Sequence, residues 1–159
     1  MQLTEDKQSL WTGDSAGILR VWDTTTLKLR HEVELGKRIN AMVLAAGNMW
    51  IGLADCIQIR DQNDVTELVC EIENAPTYNL CVVNEQVWVG DAGKLIIYDV
   101  DAFMGEPVDV GALPVCLTTV GDCVWGACAD RKIRVWRNDV SAIEEADGFF
   151  DESALLTMV

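Results

Sequence analysis

Apolar residues in this chain come in short unbroken runs, each cut off by a cluster of turn formers. Val87, Trp88 and Val89 stand in a row, as do Leu95, Ile96, Ile97 and Tyr98, with Asp91 and Gly93 among the residues between them. Runs this short, rich in β-branched and aromatic residues, predict strands, and two such runs across a few turn residues predict a hairpin. A sheet with one wet face would alternate apolar and polar positions, whereas consecutive apolar residues belong to strands covered on both faces. The pattern predicts an all-β chain of stacked sheets.

The hairpin recurs four times. LRVWD (19–23), IQIRD (57–61), LIIYD (95–99) and IRVWR (133–137) follow one another at intervals of 38 residues. A second block precedes each of them: LWTGD (10–14), MWIGL (49–53), VWVGD (87–91) and VWGAC (124–128), whose Trp11, Trp50, Trp88 and Trp125 are 39, 38 and 37 residues apart. A further strand-like run lies upstream of the last three hairpins (39–48, 77–85, 114–122), and another lies downstream of the first three (27–35, 65–73, 106–111). Four short antiparallel strands in about 38 residues, repeated in tandem, are the unit of a β-propeller blade. The units are blade 1 at 1–38 with a weak inner strand, blade 2 at 39–76, blade 3 at 77–114 and blade 4 at 115–145, whose outer strand the sequence does not reveal. An acidic C-terminal tail follows at 146–159. Gly13, Gly52 and Gly90 lie two residues after three of the tryptophans, where a neighbouring chain would approach closely.

RVWD at 20–23 and RVWR at 134–137 resemble the end of the third strand of WD repeats, over roughly residues 1–137. The resemblance implies a β-propeller, and it implies a buried network of a Gly-His pair, a turn Asp and a strand Trp in each blade. The chain has no Gly-His pair. Asp14, Asp55, Asp91 and Asp130 match the turn Asp, and Trp22 and Trp136 match the strand Trp, with Arg60 and Tyr98 in the middle copies. The repeat therefore resembles a degenerate member of that family, of the kind found in longer signalling proteins such as GTPase exchange factors, Roco-type kinases and phosphoinositide phosphatases.

Four blades can close on themselves, but the family that the repeat resembles is usually built from more, and an open edge of unpaired backbone groups recruits partners. Three closures are open: a half-propeller completed by a second copy, which the edge argument favours, a piece of a longer propeller, or a self-closed four-blade ring.

Charge narrows the partners. The net charge is −14, unevenly spread: 1–38 carry six basic and six acidic residues, 39–76 and 77–114 each carry one and six, and 115–159 carry four and eight. Nothing supplies the basic patch that nucleic acid or an anionic membrane requires, so the expected partners are proteins of basic character. The absence of an apolar leader or a long apolar run leads to the expectation of a cytoplasmic protein. The six cysteines form no Cys-x-x-Cys pair and there is one histidine, so no metal or other cofactor is expected, and reduced, mostly buried thiols are. His31 has no Ser or Cys partner at a recognisable spacing, and no phosphate-cradling glycine loop occurs, so no enzyme is expected.

Two rims are candidate partner-binding surfaces. One holds Asp14, Lys37, Arg38, Asp55, Asp91, Lys94, Asp130 and Arg131, in loops of the kind that carry binding sites. The other is an acidic arc of Asp23, Asp61 and Asp99 with Asp64 and Asp101, suited to a cation or a Lys/Arg-rich peptide; the competing role for each Asp is to bond its own turn backbone. The C-terminal Thr157, Met158 and Val159 resemble peptides read by PDZ domains. A flexible tail or a missing outer strand are the other readings of that segment. The sequence thus points to a non-catalytic interaction scaffold that binds proteins on its rims and forms a homodimer, or else to a regulatory segment of a larger signalling enzyme.

Overall fold

A computed structural model describes residues 1–91, 94–137 and, by backbone only, 143–146. The described residues form sixteen strands and no helix, so none is long and apolar enough to cross a membrane. The first sheet comprises β1 (Gln2–Leu3), β2 (Ser9–Gly13), β3 (Ile18–Asp23) and β4 (Leu29–Glu34). The second comprises β5 (Ile39–Ala45), β6 (Asn48–Leu53), β7 (Cys56–Asp61) and β8 (Leu68–Glu73). The third comprises β9 (Asn79–Val83), β10 (Gln86–Asp91), β11 (Lys94–Asp99) and β12 (Gly105–Asp109), and the fourth β13 (Pro114–Val120), β14 (Cys123–Cys128), β15 (Ile133–Arg137) and β16 (Ile143–Ala146). Within each sheet the strands are antiparallel and lie in sequence order, the arrangement of propeller blades.

Turn chemistry sets the registers. β5 and β6 pair through Ala45 and Asn48, leaving Ala46 and Gly47 as a two-residue loop with φ of 47° and 74°. Positive φ at both central positions is the type I′ geometry that matches the strand twist. The weak inner strand of the first sheet shortens to two residues. β16, which the sequence did not reveal, pairs with β15 from Ile133 opposite Ala146 to Trp136 opposite Ile143. An outer strand is held by backbone hydrogen bonds, so it can form without the apolar alternation by which an inner strand is recognised.

The apolar runs do what two-sided burial requires. Three cores lie between successive sheets: Trp11, Leu19 and Val21 pack with Met42, Met49 and Ile51, Trp50 and Ile59 with Leu80, Val87 and Tyr98, and Trp88, Leu95 and Ile97 with Leu117, Val124 and Trp136. The Trp50 ring meets Tyr98 at 5.9 Å and Phe103 at 5.7 Å, both tilted. Two of the glycines after the tryptophans make room for the next sheet, since a Cβ on Gly13 would lie 2.6 Å from Ile39 and one on Gly52 would lie 2.4 Å from Thr77, whereas one on Gly90 would meet Asn79 of its own sheet at 2.3 Å. Two asparagines latch the sheets together. Asn40 donates to the Thr77 carbonyl and Asn79 to the Pro114 carbonyl, both at 2.8 Å.

All six cysteines are free thiols. Cys56, Cys81 and Cys128 are buried and behave as small hydrophobes, with burial pushing the Cys81 thiol up to about 11. Cys116 departs from the expectation of burial and is exposed, and Cys70 and Cys123 are half-buried.

Candidate functional site

Antiparallel strands in sequence order place alternate turns on opposite rims. One rim carries the β2–β3, β6–β7, β10–β11 and β14–β15 turns with the loops that lead into the next sheet. Asp14 builds the first of these turns: its Oδ1 accepts from the amides of Ala16 at 2.9 Å and Ile18 at 3.0 Å, while its Oδ2 meets Arg20 at 3.0 Å. Arg20 also donates to Glu32 at 2.7 Å across the sheet. Asp130 plays a related part in the fourth sheet, receiving both arms of Arg134 at 2.9 and 2.7 Å. Arg20 and Arg134 hold the same register place, opposite Thr12 and Gly126, and neither was among the residues that sequence singled out. Their signal was present, because both precede the V-W pair of the repeat.

Of the candidate residues on this rim, the structure joins Lys37 to Asp55, at 2.9 Å, between the first and second sheets. Lys37 Nζ also lies 3.5 Å from the Cys56 sulfur. Asp91 and Lys94 are register partners at the end of β10 and β11. Arg38, Lys94, Asp130 and Arg131 are exposed. The rim carries local ion pairs in the first sheet, at the junction of the first and second sheets and in the fourth sheet, and its candidate residues do not converge on one centre.

The opposite rim carries Asp23, Asp61 and Asp99. Each takes the same part: Oδ1 of Asp23 accepts from the amides of Thr25 and Thr26, that of Asp61 from Asn63 and Asp64, and that of Asp99 from Asp101 and Ala102, all within 2.7 to 3.1 Å. Asp64 likewise accepts from the amide and hydroxyl of Thr66. Asp23 is further held by Arg30. These carboxylates first serve their own turns, which is why Asp recurs there. Asp64 and Asp101 are exposed beside them and Asp61 is half-buried. Thr157 and Val159 lie outside the described residues, as does most of the tail.

The turn hydrogen bonds and ion pairs act on protonation. The Ile18 amide holds Asp14 below the ordinary carboxyl value of 3.8, the Thr26 amide does so for Asp23, the Ala102 amide for Asp99, and Lys37 and Arg134 do so for Asp55 and Asp130. A carboxyl with a lowered folded value binds fewer protons in the native state than in the unfolded one, so its stabilisation is complete above about pH 4 and is lost as pH falls through the folded value. The thermal midpoint is therefore expected to be flat from pH 7 to 5 and to fall steadily from pH 4 to 2. Melts followed by circular dichroism check this, and a midpoint unchanged at pH 2 would show that the turn carboxylates contribute nothing.

A crevice between the first two sheets, lined by Thr4, Asp6, Ser9, Trp11 and His31 among others, holds about 110 Å³, below the range of ligand pockets. An open hollow of about 500 Å³ is bounded by Asn84, Glu85, Gln86 and Asp99. His31 lies exposed on β4. Among the described residues no three His, Cys, Asp or Glu side chains are grouped as a metal ion would require.

The same stack of sheets exists in a solved protein. Over 89% of its length the chain superposes on the computationally designed Ika8 protein with a TM-score of 0.75 at 17% identity, spanning 47% of that chain. That likeness establishes the propeller-like fold alone. In sequence, the chain is 25% identical over 141 residues to zinc finger CCCH domain-containing protein 17 of Oryza sativa subsp. japonica. The match takes in 84% of this chain and 32% of that protein, so the chain spans about a third of its curated relative. No known family's sequence profile matches the chain.

Proposed function

We propose that this chain is a non-catalytic protein-interaction scaffold, a degenerate WD-repeat array that presents an acidic rim to basic protein segments in the cytoplasm. The observation that carries the reading is where the polar chemistry lies. The inner strands commit their side chains to the cores between sheets, and the ionised carboxylates stand at the turns. Residues 39–114 hold twelve acidic residues against two basic ones, so the second and third sheets project a negative field that attracts Lys- and Arg-rich partners. Self-association belongs to the same reading.

Titration calorimetry with a Lys/Arg-rich peptide and an acidic peptide of equal length tests it. The basic peptide is expected to bind, with an affinity that falls as salt rises, and the Asp64→Asn/Asp101→Asn variant is expected to weaken it while keeping the turn acceptors. Equal binding of the two peptides, or none at low salt, would reject the acidic rim as the docking surface. A second reading, a regulatory segment of a larger signalling protein, draws support from the length of the rice relative, of which the match takes in 32%.

A further inference from the structure

The three junctions among the described residues are built alike, and the first and fourth sheets each present half of such a junction. At every junction the tryptophan of a sheet's second strand (Trp11, Trp50, Trp88) lies beneath the next sheet with at most 1% of its surface exposed. Trp125 holds the same place in the fourth sheet, paired with Thr118 and Val135 as Trp88 is with Cys81 and Ile97. It is nevertheless 38% exposed. Around it Val120 is 57% exposed where Val83 is 2%, and Ile133 and Val135 are half-buried where Leu95 and Ile97 are buried.

The first sheet shows the converse. Leu10 and Trp22 are register partners on the face turned away from the second sheet, and both are half-buried. Their counterparts Val124 and Trp136 pair in the same way and are fully buried against the third sheet. Leu3, opposite Leu10, is 42% exposed.

Resting on the scaffold reading, we propose that a second copy of this chain covers both end faces head to tail. The first sheet of each copy packs on the fourth sheet of the other, and two such junctions close a ring of eight sheets about a two-fold axis. The internal junctions show what fits over a Trp-bearing face, namely the opposite face of a sheet of the same repeat, and the first sheet offers one uncovered. Charge permits the meeting. Two molecules of net charge −14 repel, but residues 1–38 are balanced at six basic and six acidic, and the fourth sheet, residues 114–146, is nearly so at four basic against five acidic. Most of the acid excess lies in the second and third sheets, at twelve acidic residues against two basic over 39–114, away from the sheets that must join.

Light scattering on the purified 159-residue chain tests the proposal. At tens of micromolar the mass is expected to be twice 17.6 kDa. Trp125→Glu and, separately, Leu10→Glu are each expected to halve it, and an equimolar mixture of the two variants is expected to recover the dimer mass through their one intact pair of faces. Retained circular dichroism shows that the variants fold. On the wild type itself, labelling of the Cys123 thiol, which pairs with Val120 on this face, is expected to slow several-fold as protein concentration rises, while Cys70 on β8 labels at a constant rate. A wild-type monomer would remove the second copy as occupant. A dimer that survives Leu10→Glu but not Trp125→Glu would mean that the fourth sheets pair with each other, and masses growing beyond the dimer would mean open filaments; either result overturns the ring. Binding of the basic peptide by a monomer would leave the scaffold intact and sink only the closure, whereas a dimer without peptide binding would do the opposite.

Discussion

Truncation of Trp88 to alanine is expected to lower stability by about 3–5 kcal/mol, the range for deleting a fully buried indole. The same truncation at Trp125, measured at a concentration where the chain is monomeric, is expected to cost well under half of that. The two residues are one repeat apart and hold equivalent register places, so the comparison is chiefly one of burial. Trp88 is enclosed by Val83, Leu95, Leu117 and Val124, and its removal leaves a cavity that rigid β-strands on both sides cannot close. Trp125 already faces outward on one side, and its loss removes contacts without opening a void. Urea unfolding gives both values from the shift in midpoint at constant slope. Equal losses at the two positions would show that the fourth sheet is covered as thoroughly as the third.

The second large effect is expected at Arg60, which stands where the other sheets place Trp22, Tyr98 and Trp136. Its guanidinium is buried, donating to Gln58 Oε1 from Nε at 3.2 Å and Nη2 at 2.9 Å, and to the Val65 carbonyl at 2.8 Å. Gln58 in turn donates to Glu71 at 2.7 Å, so a charge on the outer strand is relayed to the buried cation through an amide. Burial pulls the Arg60 value down, which marks a cation short of compensation. Gln58→Leu deletes the acceptor of two hydrogen bonds to that cation and is expected to cost about 3 kcal/mol. Arg60→Tyr, which installs the residue of the third sheet, is expected to be neutral or stabilising, because replacing a buried ion by a well-packed apolar group removes its desolvation cost. In the double variant most of the Gln58→Leu loss should vanish. Additive effects in that cycle would show that Gln58 acts independently of the guanidinium.

Much of the architecture was legible because it depends on local pattern. The spacing of the V-W and W-x-G blocks, the Asp and Gly turns and the consecutive apolar residues each act within a few positions, and together they placed every strand of the second and third sheets. β16 was not legible, because an outer strand needs only backbone partners and gives no apolar signature. The rim candidates lie at strand ends and in the turns beside them, but the sequence did not name the side chains that bind them. Asp14 pairs with Arg20 and Asp130 with Arg134, through side chains that reach back from the neighbouring strand. The Asn40 and Asn79 latches were also missed, since two asparagines 39 residues apart carry no chemistry until the next sheet brings a carbonyl against them.

By itself the sequence determined the repeat, its four copies, the strand-turn-strand grammar of each and the placement of acidic charge in the middle of the array, all of which are set by neighbours along the chain. Only the tertiary structure decided which of four equivalent tryptophans is exposed, which carboxylates are bound to arginine and which amides join one sheet to the next. Burial and hydrogen bonding are properties of what lies across a junction, and residues at equivalent places in the repeat diverge when one of them, Trp125, has no further sheet packed over it among the described residues.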